Sequence, residues 1–339
     1  NGTTVHQVVV GYLQGDHTYG CQPDGGNDFF VFDQPTPFAS NDTVEAFEGY
    51  APIPVVGNVP GFSMEPILVN VTNADKSHTV RYTLNGSVPT IEDPVYAAPV
   101  HLEKSAVFRA RSFDNDLLPS DVVTNSYFIE PKRKLPVVSL SFQSQHFWDW
   151  NCGIYVLGPN ADSVYPFWGA NYWLDHEVPV HLEYFNEAGF FGYEEDLGVK
   201  IQGGRSSRNK PMKPLRLLAK GEFGATKMDY PIFPDREISD FKRLVLRNSG
   251  GDFNQAHFRD GFVHKLLIRD GIDVDALAYR PVVVYLNGEY WGIHNLRERV
   301  DEHYLKYHYD VNENELDLLS EDTIAFVGDF EAFNEMKEF

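Results

Sequence analysis

The residues with the clearest chemical potential lie in one stretch, QGGRSSRNKPMKPLRLLAK, at residues 202–220. Two glycines allow backbone N–H groups to approach an anion closely, and two serines add hydroxyl donors. Arginine and lysine side chains make short, charge-assisted hydrogen bonds to phosphate oxygens. The stretch therefore predicts a phosphate site. Its candidate binding residues are Gly203, Gly204, Arg205, Ser206, Ser207, Arg208, Lys213 and Arg216.

Local features alone leave a second interpretation open. The stretch also fits an ordinary turn whose arginines pair with carboxylates, and the two interpretations weigh about equally. It is not a Walker A loop, because Pro211 and Pro214 favour a strand after the glycines where that motif requires a helix. A serine hydrolase is not supported, because no Gly-x-Ser-x-Gly sequence surrounds Ser206 or Ser207. No carboxylate pair stands out for a glycosidase.

Composition limits the class of protein. The chain has 339 residues with 49 acidic and 28 basic side chains, a formal net charge of −21. Such a chain lacks the basic face of a general nucleic-acid binder, so we expect no nucleic-acid partner. No apolar run is long enough to span a membrane. Two cysteines, Cys21 and Cys152, exclude a disulfide framework. The start at Asn1, without a signal peptide, suggests a piece of a longer protein.

Pattern changes along the chain predict three parts. Residues 1–44 are expected to end a small β domain, with strands in VHQVVVGYL and after DGGND. Residues 45–130 alternate like strands, and Asn85-Gly86 is a strong hairpin signal. Residues 131–339 combine buried strands with two helical segments, which predicts an α+β domain.

The order of elements in the third part favours the phosphate interpretation. Phe258, Phe262, Leu266 and Leu267 have helical spacing within residues 252–271, and Gly271 is a stop signal. A hairpin turning at Asn287-Gly288 follows, and then the helical VDEHYLKYHY. A glycine loop, a strand with cations, a helix and two strands occur in this order in the small lobe of protein kinases. The V-A-I-K, H-R-D and D-F-G signatures of that class are absent.

From about Leu135 to its end, the chain resembles the CotH (spore coat protein H) kinase family. The resemblance implies an atypical, kinase-like α+β domain that binds ATP with Mg²⁺ or Mn²⁺ and phosphorylates protein Ser or Thr. The matching segments are LPVVSLSF, NYWLDHEVPVHLEYF, GVKIQGGRSSRNKPMKPLRLLAK, YPIF, FKRLVLRNSGGD, FRD and VVVYLNGEYWGIHNLRERVDEHYL.

The same resemblance implies roles for individual residues. The loop residues Arg205, Ser206 and Ser207 would lie over the phosphates. A strand cation would pair with α- and β-phosphate oxygens, and the candidates are Lys213, Arg216 and Lys220. The remaining predicted site residues are Arg247 and Asp260, which would support the site, and Arg297 and Glu298, which would lie near the hinge and the adenine.

The family also places catalytic and metal-binding aspartates in a C-terminal half that has no counterpart before Phe339. The chain is therefore expected to contain the half that cradles the nucleotide. Its catalytic residues stay unknown, and no metal ligand is assigned. We expect residues 1–339 alone to transfer no phosphate.

Two further resemblances concern the preceding parts. GDHTYGCQPDGGNDFFVFDQPTPFASN is similar to the end of a lamin-tail domain. Residues 45–130 resemble the immunoglobulin-like sandwich of the chitobiase C-terminal region. The latter rests on FSMEPILVNVT, YTLNGSVPT, VYAAPVHL, AVFRARSF and PSDVVTNSY. These companions imply a secreted or surface-attached bacterial protein, whose acceptor would be a secreted or surface protein or a polysaccharide.

A non-catalytic function stays open beside the kinase. In that alternative the chain is a secreted carbohydrate-binding or surface-attachment module with a degenerate kinase-like domain. Tyr82 or Tyr96 could then contact sugar, although a spacer role for this sandwich is the more common one.

DVNENELDLLSE, residues 310–321, partly follows a calcium loop. Asp310, Asn312, Asn314 and Glu321 occupy ligand positions, but Glu315 stands where the sharp turn requires glycine. A solvated polar loop is the favoured interpretation. The histidines likewise lack the spacing of a helical metal-ligand pair.

Overall fold

The structure, a computed structural model, describes residues 7–72, 78–320 and 323–339. Its helices are α1 (Ser144–Trp148), α2 (Arg205–Arg208), α3 (Arg259–Arg269), α4 (Glu302–Tyr309) and α5 (Glu331–Glu338), with 3₁₀ turns at Asn41–Thr43, Asn171–Trp173 and Gly250–Asp252. Its strands are β1 (Thr18–Cys21), β2 (Phe29–Phe32), β3 (Val55–Val56), β4 (Gly61–Ser63), β5 (Ile67–Val69), β6 (Val71–Thr72), β7 (Thr79–Thr83), β8 (Val100–Leu102), β9 (Ala106–Phe113), β10 (Val123–Ile129), β11 (Val137–Ser141), β12 (Val178–Phe185), β13 (Phe191–Ile201), β14 (Leu215–Leu218), β15 (Met228–Asp229), β16 (Asp240–Phe241), β17 (Arg243–Arg247), β18 (Tyr279–Leu286), β19 (Glu289–Glu298), β20 (Leu318–Ser320) and β21 (Ile324–Val327). The strand-rich character predicted for the chain is confirmed.

The N-terminal part forms one small hairpin. Strands β1 and β2 pair antiparallel, from Thr18 opposite Phe32 to Cys21 opposite Phe29. The strand predicted in VHQVVVGYL is wrong for residues 7–13, which are irregular and expose Val8, Val9 and Val10. No described strand pairs with this stretch, so its β-prone side chains have no ladder to join.

The second part is a small sandwich. One sheet has the strand order β4-β10-β9-β7, and β3–β6 and β5–β8 are two separate pairs. The tight hairpin predicted at Asn85-Gly86 is wrong, because β7 pairs with β9 and the chain returns to β7 only at residues 94–96. Gly86 is nevertheless required there, since its φ is +82°.

The third part contains a closed barrel of seven strands in the order β11-β12-β13-β14-β17-β19-β18. Strands β11 and β18 pair parallel and close the barrel, whereas the other neighbours are antiparallel. Apolar side chains fill the interior, among them Leu140, Leu197, Leu215, Leu246 and Leu296. The strands predicted from LPVVSLSF, EVPVHLEYF, LGVKIQGG and FKRLVLRNSG, and the hairpin at Asn287-Gly288, are confirmed.

Strand alternation gives one side of this barrel a cationic outer face. Directly opposed residues in antiparallel strands share a face. Lys200 of β13 lies opposite Arg216 of β14, which lies opposite Val245 of β17. Val245 in turn lies opposite Arg297 of β19. Residues two positions away share the face too. The outer face therefore also carries Arg243, Arg247 and Arg299.

Helix α3 packs against the rim of this face. It spans fewer residues than the predicted helix at 252–271, because the chain first makes a 3₁₀ turn and a positive-φ residue, His257. Gly271, with φ +62°, follows its last residues as predicted. Gly261 allows close packing, since a Cβ atom there would overlap the Tyr279 ring.

Helix α4 follows the last barrel strand, as predicted. Asp301 caps it by accepting hydrogen bonds from the backbone N–H groups of His303 and Tyr304. Both cysteines are free. None of the helices in the described ranges has the length and apolarity needed to cross a bilayer.

Candidate functional site

The glycine-serine loop connects β13 to β14 on the edge of the cationic face. Gln202 N–H donates to Pro214 O at 3.0 Å and closes the loop. Gly203 has φ +98°, and a Cβ atom there would overlap Ser207 Oγ. After the glycines the chain makes only the single helical turn α2, and β14 then begins. The predicted sequence of a glycine loop followed by a strand is confirmed.

Asn248, the residue directly after β17, supports the loop through hydrogen bonds. Asn248 is buried, and its Nδ2 donates to Ser207 O at 3.0 Å and to Met212 O at 2.6 Å. Its Oδ1 accepts from Gly250 N–H at 3.1 Å. Sequence reasoning missed Asn248, although an asparagine at the end of the Leu-Arg-Asn strand, followed by Ser-Gly-Gly, was the available signal.

Lys213 and Arg208 are directed toward the loop itself. Lys213 Nζ donates to Arg208 O at 2.6 Å and lies 4.0 Å from the centre of the Tyr172 ring. Burial lowers the pKa of Lys213 to about 8. Arg208 donates from Nε to Gly203 O at 2.5 Å and from Nη1 to Tyr172 O at 2.6 Å. In this arrangement both cations stabilise the loop backbone.

The outward groups of the loop are Arg205 and Ser206, which are exposed. The Arg205 guanidinium lies over the Trp168 ring at 5.3 Å. Ser206 Oγ makes no hydrogen bond with any residue in the described ranges, whereas Ser207 Oγ donates to Gly204 O at 3.0 Å. A ligand above the loop would therefore meet Ser206 and Arg205 first.

Arg216 is a cation without a direct ion-pair partner among the described residues at the centre of the cationic face. Its Nε hydrogen-bonds Gln202 Oε1, and it forms no ion pair within the described part of the chain. Burial, followed by the neighbouring Arg299 guanidinium, lowers the pKa of Arg216 to about 10. Arg243, by contrast, is paired with Asp301 at 2.9 Å and Glu302 at 2.8 Å. An anion is the partner that would relieve the repulsion around Arg216.

A second cationic group surrounds Asp260 of α3. Asp260 Oδ2 lies 3.0 Å from Arg247 Nη1 and 2.8 Å from Arg297 Nη1. The Arg297 side chain is only 1% exposed, and its Nε and Nη2 find no hydrogen-bond partner among the residues described. Burial lowers the pKa of Arg297, and Asp260 opposes that shift. Donors of a buried guanidinium that lack partners favour a further acceptor.

Arg247 ends β17 and pairs with Asp260 of α3, whereas Arg216 lies within β14, with Lys213 before that strand and Lys220 after it. In a kinase small lobe the phosphate-binding cation lies on the third strand, just before the helix, and pairs with a helix carboxylate. Among the strands of the barrel, β17 is the third counted from β13, and it precedes α3. Lys220 instead pairs with Glu177 at the rim of the face.

Arg297 and Glu298 point to opposite sides of β19, as adjacent strand residues do. Glu298 is buried, and its carboxylate accepts from Ala278 N–H at 2.7 Å. Its other oxygen lies 2.7 Å from His308 Nε2 of α4. Glu298 thus joins the end of the barrel to α4, while Arg297 belongs to the cationic face.

No grouping of three or more potential metal-ligating side chains occurs within residues 7–72, 78–320 and 323–339. Of the proposed calcium loop, Glu321 lies outside the described residues. Asp310 ends α4 with φ +52°, and Asn312 Oδ1 accepts from Asn314 N–H at 3.1 Å.

The fold and loop define a strand-rich barrel with a glycine-serine loop beside a cationic face. Residues 199–338 match the family model for CotH kinase protein, so this segment of the chain is similar to that family. Residues 69–127 match the model for an Fn3 associated domain, which covers most of the sandwich. The CotH match begins within β13, so β11 and β12 of the same barrel precede it. No curated protein matches the chain.

Proposed function

We propose that the CotH-like segment binds ATP, with its phosphates between the glycine-serine loop and the cationic face, for phosphoryl transfer to protein Ser or Thr. The observation that carries this proposal is the pairing of Arg247 and Arg297 with Asp260 of α3, beside the unpaired charge of Arg216. The order of elements supports it. Five barrel strands lie side by side in the order β13, β14, β17, β19 and β18, and α3 lies between β17 and β18 in sequence. This order of elements is similar to that of the small lobe of kinases.

Each group then has a distinct role. Ser206 and Arg205 donate to phosphate oxygens from the loop. Arg216 and Arg247 supply charge from the strands, and Asp260 orients Arg247. The more deeply placed Lys213 and Arg208 keep the loop in shape rather than contacting the nucleotide.

Kinases use Mg²⁺ or Mn²⁺ to bridge the β- and γ-phosphates. The described residues supply no cluster of ligands for such an ion. In this proposal the residues of the chain bind and orient the phosphates. The absence of phosphoryl transfer by residues 1–339 alone stays a prediction, as does an adenine position near Arg297 and Glu298.

We further propose that the protein acts outside the bacterial cell on a secreted or surface protein. Its support is the resemblance of the two leading parts to modules of exported proteins. The limits 1–44, 45–130 and 131–339 are compatible with the hairpin β1–β2, the sandwich strands β3 to β10 and the barrel strands from β11 onward. The lamin-tail and chitobiase-type assignments stay predictions.

Calorimetric titration tests the nucleotide site. We expect ATP with Mg²⁺ or Mn²⁺ to bind more tightly than adenosine, because the proposed contacts are to phosphate. Arg216→Ala should weaken ATP binding by about 1.5–3 kcal/mol, the value of a hydrogen bond to a charged group. Arg269→Ala is the control, since Arg269 is exposed and paired with Asp270 on the far end of α3. Equal affinity for adenosine and ATP, or no binding, would overturn the proposal.

The alternative function is a carbohydrate-binding or attachment module whose barrel is catalytically silent. One observation favours it independently. A large cleft with two tryptophans lies between the sandwich and the barrel.

A further inference from the structure

A cleft of about 1350 Å³ separates the sandwich from the barrel, and none of its lining residues belongs to the cationic face. The sandwich contributes Tyr82, His101 and Glu103 to its walls. The barrel part contributes Trp148, Glu289 and Trp291. Ligand sites commonly occur at such boundaries between folded units.

The two walls are held in a fixed relation by close contacts at the base of the cleft. A Cβ atom on Gly86 of the sandwich would overlap the side chain of Asn287, which turns the barrel hairpin. Asn287 is itself fixed, because its amide accepts from Phe142 N–H at 2.9 Å and donates to Phe142 O at 3.0 Å. On the same junction, Ser126 N–H donates to the buried Glu183 carboxylate at 2.9 Å. Contacts within the protein therefore set the spacing of the two walls.

Flat aromatic surface is available inside the cleft. Trp148 is 37% exposed, and its ring centre lies 5.4 Å from that of Trp291. Trp291 is held by a hydrogen bond from its Nε1 to Tyr155 Oη at 2.9 Å. Such rings combine a large apolar face with low conformational freedom, which suits the apolar C–H face of a sugar ring.

Polar groups beside these rings lack partners. Lys104, Ser144 and Glu289 line the cleft, and none of their side chains forms a hydrogen bond or ion pair with another described residue. His101 and Glu103 approach one another only to 3.7 Å. Both donors and acceptors are thus free to meet hydroxyl groups.

We propose that this cleft binds an extended, neutral oligosaccharide, with Trp148 as the stacking surface. Its volume exceeds the roughly 300–1,000 Å³ of pockets for single small molecules. Several linked sugar rings fit that size better than a monosaccharide. The proposal does not depend on nucleotide binding.

An extended peptide is a poorer match for the same walls. Peptides commonly add to an open sheet edge through main-chain hydrogen bonds. The edge strand that lines the cleft, β7, is already covered: Tyr82 N–H donates to Pro94 O at 3.1 Å, and Tyr96 N–H donates to Val80 O at 2.8 Å. Recognition in the cleft must then come from side chains.

The test is a tryptophan-fluorescence titration of the chain, without nucleotide, using cellohexaose, chitohexaose and maltohexaose as probes. We expect at least one hexasaccharide to bind, and Trp148→Ala to weaken that binding about tenfold or more. Trp150→Ala is the matched control, because Trp150 lies two residues away, is 55% exposed and does not line the cleft.

Three results would overturn the proposal. The first is the absence of binding by all three probes in the millimolar range. The second is binding that Trp148→Ala leaves unchanged. The third is a response to a tryptic digest of casein but to no hexasaccharide, which would assign the cleft to peptides. Because no nucleotide is present, each result is independent of the ATP titration.

Discussion

At the residue scale, burial and partner choice decide which cations of the glycine-serine stretch are available to a ligand. The sequence predicted the group from residue types alone. It did not separate Lys213, whose ammonium contacts loop carbonyls, from Arg216, which has no carboxylate partner in the described part of the chain. That distinction depends on Tyr172 and Gln202 in three dimensions, and no local pattern contains it.

Arg247→Ala tests the strand cation. We expect ATP affinity to fall by about 1.5–3 kcal/mol, roughly 10- to 150-fold, because a charge-assisted contact to phosphate is lost. Arg247→Lys should recover part of the affinity, since lysine keeps the charge but not the two-pronged geometry. Calorimetry with Mg²⁺ or Mn²⁺ measures both.

The control for this series is Arg259→Ala. Arg259 begins α3, is largely exposed and pairs with Asp252 rather than Asp260. The affinity of the Arg259→Ala variant for ATP should equal that of the unchanged chain. Equal losses in Arg247→Ala and Arg259→Ala would mean that general charge, and not the position on β17, controls binding.

At the scale of elements, Gly203 contributes more than Gly204 to the shape of the glycine-serine loop. Gly203 has positive φ and no room for a side chain, whereas a Cβ atom on Gly204 meets nothing within 4 Å. The sequence pattern predicted both glycines as binding residues without distinguishing them. The difference arises from Ser207, which folds back over Gly203.

Gly203→Ala should therefore destabilise the chain by about 1–2 kcal/mol, the cost of left-handed backbone for a residue with a Cβ atom. Gly204→Ala is the matched control and should change the free energy of unfolding by less than about 0.5 kcal/mol. Urea unfolding of both variants measures the difference. Equal stability of the two would contradict the loop geometry.

Local signals predicted some elements well and others poorly. Asn287-Gly288 forms the expected two-residue hairpin because β18 and β19 pair directly. Asn85-Gly86 is the same dipeptide, but β7 pairs with the distant β9 instead. Closure of the barrel depends on the parallel contact between β11 and β18, whose paired residues are 146 positions apart, and no periodicity reveals it.

At the scale of the whole molecule, an ionisable pair lies at the junction of sandwich and barrel. Burial raises the pKa of Glu183 to about 7 despite its hydrogen bonds with Ser126. Burial lowers the pKa of His181, but the hydrogen bond with Asp196 and the nearby Glu194 carboxylate outweigh it and raise the value to about 9. Both groups therefore keep a proton in the folded state at pH values where the unfolded chain has lost it.

The sign of the pH dependence follows from these shifts. Unfolded Glu183 loses its proton near its usual pKa of 4.5 and His181 near 6.5. Their contribution to stability thus falls as pH rises, between about 4.5 and 7 for Glu183 and between about 6.5 and 9 for His181.

Glu183→Gln should remove the first part of this dependence and make the chain more stable than the unchanged one above pH 7, by on the order of 2 kcal/mol. Urea midpoints between pH 5 and 9 measure it. Glu237→Gln, at an exposed residue without an ion pair in the described ranges, should leave the profile unchanged. A Glu183→Gln profile parallel to that of the unchanged chain would contradict this account of the junction.

The most direct test of the central claim is a crystal structure of the chain with a non-hydrolysable ATP analogue. The account predicts that the phosphates lie within hydrogen-bond distance of Arg247 and Arg216, with Ser206 above them. Phosphates bound elsewhere, for example in the cleft beside Trp148, would contradict the assignment of the cationic face as the nucleotide site.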